Sequence, residues 1–125
     1  MSSEFGWVEI ERPTQDVAVV VLHGEHDLST ADNLTSELDR LSATGVCVVL
    51  DLSAAEFIDS SIIGAIHRFA AGQAQAGRGF ALQVSTSSIV HRALDIAGML
   101  SVPASAQSRA AAIDLARAAE PESDR

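Results

Sequence analysis

Two short apolar runs constrain this chain most: Val17–Leu22 (Val-Ala-Val-Val-Val-Leu) and Val46–Leu52 (Val-Cys-Val-Val-Leu-Asp-Leu). Neither alternates with polar residues, so neither can rest with one face in water, and both are too short to be helices. They read as strands covered on both faces. Gly24 is expected to end the first. Asp51 near the carboxyl end of the second marks the approach to a loop over Ser53–Asp59.

Helical spacing fills the intervals. Ser29 can cap a helix with Asp32 three positions later, and Leu34, Leu38 and Leu41 follow on one face until Gly45. Ser60 or Ser61 can cap a second helix carrying Ile62, Ile63, Ile66, Phe69 and Ala70, weakened at its end by Gly72 and Gly77. Phe80–Val84 reads as a strand. Ser85-Thr86-Ser87-Ser88 then competes for turn bonds and caps a third helix over Ile89–Ala97, stopped by Gly98. At the amino end, Phe5–Glu11 reads as an edge strand interrupted by Pro13. Met99–Val102 reads as a last strand broken by Pro103. Ala106–Ala119 reads as a final helix that docks through Ile113 and Leu115. Repeated strand-helix units imply a single α/β domain with a mixed, mainly parallel sheet covered by helices. Its expected extent is residues 5–119, with 120–125 as a frayed, solvated tail.

Length and charge limit the functions such a domain can have. A chain of 125 residues holds one domain, and its net charge of -9 repels phosphate backbones and anionic lipid. All eight basic residues are arginines. The single cysteine, Cys47, forms no intrachain disulfide and reads as a small apolar filler. No cationic stretch with an apolar run opens the sequence, which suits a reduced cytoplasmic protein.

Several familiar chemistries have no foothold. Gly72, Gly77 and Gly79 precede a strand, where a phosphate loop would lead into a helix carrying Lys and Thr or Ser. His23, Glu25, His26 and Asp27 are possible metal ligands, but neighbouring side chains of an extended segment point apart, so the segment reads as a solvated loop or polar rim. His67 and His91 read as surface or boundary residues of two helices without a serine and carboxylate arranged around them. Asp51, Glu56 and Asp59 sit at a strand end and loop with nothing to mark a glycosidase pair. No catalytic residue, metal or cofactor is assigned.

The informative run is Asp51-Leu52-Ser53-Ala54-Ala55-Glu56-Phe57-Ile58-Asp59-Ser60-Ser61-Ile62-Ile63-Gly64. It sets two hydroxyls between an acidic residue and a helix, where unpaired amides can bind a hydroxyl or an added phosphate. Plain capping and regulated phosphorylation are both compatible with that placement.

With Gly24-Glu25-His26-Asp27 at the end of one strand and Asp59-Ser60-Ser61 at the start of a helix, the chain from Val8 to Leu115 resembles the STAS domain family, particularly bacterial anti-sigma factor antagonists. The family carries a glycine, an acidic residue and an aspartate at the first site, matched by Gly24, Glu25 and Asp27. At the second it carries Asp-Ser-Ser or Asp-Ser-Thr, matched by Asp59, Ser60 and Ser61. The resemblance implies that Ser60 is the phosphate acceptor, with Ser61 the local alternative. It also implies that Gly24, Glu25, Asp27, Asp59, Ser60, Ser61 and Ile62 form the partner-binding surface. The implied partner is an anti-sigma factor that is also a serine kinase and supplies the ATP, so the chain is not itself an enzyme, and no nucleic acid or membrane insertion is involved. One position departs: the family pattern continues Gly-Leu-Gly, whereas this chain has Ile62, Ile63 and Gly64, a branched residue in place of a permissive one. That departure keeps open a STAS-like scaffold or transporter-associated accessory subunit without phosphorylation control.

Overall fold

The valine-rich runs form the centre of a six-stranded sheet. In the computed structural model, which describes residues 6–99 and 103–118, the strands are β1 (Trp7–Thr14), β2 (Val17–His26), β3 (Cys47–Asp51), β4 (Ala55–Ile58), β5 (Phe80–Gln83) and β6 (Ala104–Ala106). The helices are α1 (Leu28–Ser42), α2 (Ser60–Ala76), α3 (Ile89–Ile96) and α4 (Arg109–Ala118). The strand order is β1-β2-β3-β5-β6, with β4 paired to β2 off that path. Only β1 and β2 are antiparallel.

Alternate residues of the buried strands feed two apolar layers, as the pleat requires. Ala18, Val20, Leu22, Val48, Leu50 and Leu82 face α1, α2 and α3 and pack with Leu34, Leu38, Ile62, Ile66, Val90 and Leu94. Val17, Val19, Val21, Cys47, Val49 and Ala81 face the other way, against Ala112 and Ala116 of α4. The alanines let α4 approach closely: a Cβ on Gly79 would lie 1.9 Å from the Ala116 carbonyl oxygen. Ile113 and Leu115, expected to dock this helix, pack only partly buried at the margin.

Several sequence expectations need correction. β1 continues through Pro13 to Thr14, because a shift in register between Glu11 and Thr14 leaves the proline outside the regular ladder. β2 does not stop at Gly24 but runs to His26. The loop expected over Ser53–Asp59 contains β4, a strand of four residues too short to announce itself. Asp27 and Asp59 cap the first two helices, where Ser29 and Ser60 or Ser61 were expected; Ser88 caps α3 as expected. The final helix starts at Arg109. The strand expected over Met99–Val102 falls mostly on residues outside those described, and the last described strand follows Pro103. The tail expected over 120–125 lies outside them entirely.

Candidate functional site

The two distant segments singled out in the sequence lie side by side. Beyond Gly24, β2 pairs in parallel with β4, Glu25 opposite Phe57 and His26 opposite Ile58, and the Asp59 N–H donates to the His26 carbonyl at 3.3 Å. Both strands end together, so α1 and α2 begin together and present their amino-terminal amides on one side. The turn out of the main ladder depends on Gly24, whose φ is 81° and whose N–H donates to the Ala54 carbonyl at 3.1 Å. A branched residue is strained at that φ. Gly24→Val is therefore expected to cost about 2 kcal/mol. A melting temperature equal to wild type would count against this geometry.

The same three-residue pattern starts both helices. In Asp27-Leu28-Ser29, Asp27 Oδ1 accepts from the Ser29 N–H at 2.9 Å and the Ser29 hydroxyl at 2.6 Å. In Asp59-Ser60-Ser61, Asp59 Oδ1 accepts from the Ser61 N–H at 3.0 Å, the Ser61 hydroxyl at 2.5 Å and the Ile62 N–H at 3.2 Å. A carboxylate meets the amide ends better than a hydroxyl can, since it also balances the positive end of the helix dipole. The bond from the Ser61 hydroxyl is the main reason the Asp59 carboxyl is held below the usual carboxylate range. Burial opposes it, and the amides of Ile62, Ser61 and Leu28 add to the lowering. The Leu28 amide belongs to α1, so both helix starts act on the Asp59 carboxyl. A depressed carboxylate stabilises the fold above its unfolded pKa, and that contribution fades as pH falls through the lowered folded value.

This arrangement separates the two hydroxyls. Ser61 is half-buried and its hydroxyl is committed to Asp59. Ser60 is exposed, and its hydroxyl has no partner among the described residues. Around it, Glu25, Asp27, Glu56 and Phe57 are exposed and Gly24 and Asp59 half-buried. Leu28, the residue matching Ser60 in the first cap, is 76% exposed. Ile62, expected on the partner surface, is completely buried in the core, because the third residue of α2 already points at the sheet. Its side chain therefore lies beneath the site, off the exposed surface.

The segment expected to be a solvated rim is not uniform. His26 is fully buried, while His23 reaches outward, stacks on Trp7 with ring centroids 3.9 Å apart and meets Glu9 Oε1 at 2.8 Å. Among the described residues no group of three or more His, Cys, Asp or Glu could hold a metal ion. His67 is exposed and His91 half-buried. Sequence reasoning missed a four-element polar clamp. Arg109 of α4 donates to Asp51 on β3 at 2.8 Å, to Glu11 on β1 at 2.6 Å and to Gln83 on β5 at 2.9 Å. The signal was present: an aspartate ending an otherwise apolar strand, once buried, requires a cation.

The family model described as the STAS domain matches residues 9–112. Among solved structures, an anti-sigma factor antagonist from Mycobacterium paratuberculosis is similar at a TM-score of 0.77 and 21% identity, covering 93% of this chain and 97% of its own. The Bacillus cell fate determinant SpoIIAA, solved in its phosphorylated form, is similar at a TM-score of 0.64 and 19% identity, covering 86% and 97%. A sulfate transporter family protein from Wolinella succinogenes is similar at a TM-score of 0.67 and 19% identity, covering 87% and 91%. At these identities the likeness is one of fold. No curated protein sequence matches the chain. Among the described residues no helix is long and apolar enough to cross a membrane.

Proposed function

The chain belongs to the STAS domain family, and from that premise we propose that it is an anti-sigma factor antagonist that works by switching partners. Unmodified, it binds an anti-sigma factor that is also a serine kinase and so frees the sigma factor. Phosphorylation of Ser60 weakens that binding. The kinase brings the ATP; this chain brings the acceptor hydroxyl and the surface around it. The observation that carries the reading is the contrast between the exposed, unengaged hydroxyl of Ser60 and the hydroxyl of Ser61, held by Asp59. Gly24, Glu25, Asp27 and Asp59 build the rest of the surface, from two helix starts whose amides favour an added phosphate. The phosphorylated state in which SpoIIAA was solved supports the same reading.

The test is to recover partners from host lysate with tagged protein, purify any serine kinase among them, incubate it with ATP and map the product. One phosphate on Ser60, absent from Ser60→Ala and retained by Ser61→Ala, is the expected result. Phosphate on Ser61 alone would refute the assignment. The likeness to the sulfate transporter family protein favours a second reading, a STAS-like scaffold or transporter-associated accessory subunit without phosphorylation control. Recovery of transport subunits and no kinase would select it.

A further inference from the structure

His26 lies directly beneath the proposed partner surface, yet none of it reaches solvent. Its Nε2 is 3.1 Å from the His23 carbonyl oxygen and its Nδ1 is 3.0 Å from Thr30 Oγ1. A carbonyl only accepts, so Nε2 carries the ring proton; a neutral imidazole has one, so Nδ1 accepts from the Thr30 hydroxyl. The same hydroxyl oxygen receives the Asp27 N–H at 3.2 Å, which completes the cap of α1. An alternative acceptor for that hydroxyl, the Asp27 carbonyl oxygen, already stands 3.1 Å away. On its other side the His26 carbonyl holds the Asp59 N–H at the start of α2. The chain before β1 closes over the ring: a Cβ on Gly6 would come within 2.7 Å of Nε2.

A proton added at Nδ1 turns that atom into a donor and turns the Thr30 hydroxyl away, toward the Asp27 carbonyl. It also sets an unsolvated positive charge beneath the amide ends of two helices. We propose that His26 is a positioning residue that makes the arrangement of this surface proton-sensitive: neutral, it holds the starts of α1 and α2 in place, and protonated, it releases them. The biological consequence rests on the partner-binding reading above; the coupling lies within this chain alone.

The charged groups acting on the ring are Asp27 at the start of α1 and His23 on β2; Glu9 on β1 is bound to His23, Glu25 precedes His26 on β2, and Asp59 at the start of α2 bonds the His26 carbonyl through its N–H. Burial is the largest influence and lowers the His26 pKa below the usual histidine value. The carbonyls of His23 and Trp7 and the Asp27 carboxylate pull upward, and His23 adds to the lowering. The sign follows. As pH falls from about 6.5 toward the lowered folded value, opened and unfolded states take up a proton that the closed surface refuses, so the closed surface loses stability over that interval.

An NMR titration from about pH 7.5 to 5 tests this on the free protein, in wild type, His26→Leu and His26→Gln. Glutamine can keep a donor and an acceptor at the site without titrating. In wild type the amide resonances of Asp27, Thr30, Asp59 and Ser61 are expected to shift with the midpoint of the His26 ring, below the usual histidine value. In both variants that common shift is lost. Amides that stay still as His26 takes up its proton, or that shift equally in both variants, would overturn the proposal. The experiment needs no kinase, so its failure and a failure of the phosphorylation reading are separate events.

Discussion

Arg109→Ala is expected to cost about 3 kcal/mol of folding stability, the low end of what breaking a buried ion pair costs. Asp51 is only 3% exposed. One of its oxygens takes the Arg109 guanidinium at 2.8 Å, and the other holds the Ser53 N–H at 2.8 Å and the Ser53 hydroxyl at 2.6 Å. Without Arg109 the carboxylate keeps the serine bonds but loses its cation, and Glu11 and Gln83 lose the donor that links them to α4. The arginine side chain is 35% exposed, so water enters where it stood and spares part of the cost. On a chain of this length the loss corresponds to roughly 10 °C in melting temperature. Asp51→Asn combined with Arg109→Met should recover much of it, since no buried charge is then left alone. Urea unfolding of the single and double variants checks both expectations. A loss under about 1 kcal/mol for Arg109→Ala would mean that the clamp contributes as little as an ordinary surface pair.

Authentic phosphorylation of Ser60 is expected to weaken kinase binding at least tenfold, which is about 1.4 kcal/mol. The phosphate adds roughly 1.5 to 2 negative charges at neutral pH to a surface that already carries Glu25, Asp27, Glu56 and Asp59. The helix amides can hold it without refolding the domain, so the change in charge and shape acts on the partner. Ser60→Ala should bind as the unmodified protein does, because it loses a hydroxyl and gains no anion. Ser60→Asp should reproduce the weakening only in part, with one charge and fewer acceptor oxygens. Raising the salt concentration should narrow the gap between modified and unmodified protein. Calorimetry on the four forms measures this directly, and equal affinity for phosphorylated and unmodified protein would end the proposed switch.

Where the sequence was read correctly, the signal was local. The buried strands announced themselves because a sheet covered on both faces leaves no polar alternate, and the leucines of α1 and isoleucines of α2 recur within a few residues of one another. The positive φ at Gly45, Gly77 and Gly98 likewise follows short helix ends legible in place. The caps were misread by one or two positions for a local reason too: Asp27 and Asp59 lay beside the serines that were preferred, and the carboxylate wins at an amide end.

The site itself was legible as two motifs but not as one surface. Gly24-Glu25-His26-Asp27 and Asp59-Ser60-Ser61 are more than thirty residues apart, and only the pairing of β2 with β4 makes them neighbours. That pairing was hidden because β4 has four residues with exposed Glu56 and Phe57, a pattern no different from a loop until a partner strand is beside it.

By itself, then, the sequence determined the kind and order of most elements, the two-sided sheet and the residue types available for recognition, because periodicity and turn chemistry act over a few residues. Tertiary structure decided which polar groups are buried and what satisfies them. Burial depends on segments far along the chain: Gly6 closes over His26, Arg109 reaches back 58 residues to Asp51, and the sheet takes Ile62 inward while leaving Ser60 in solvent.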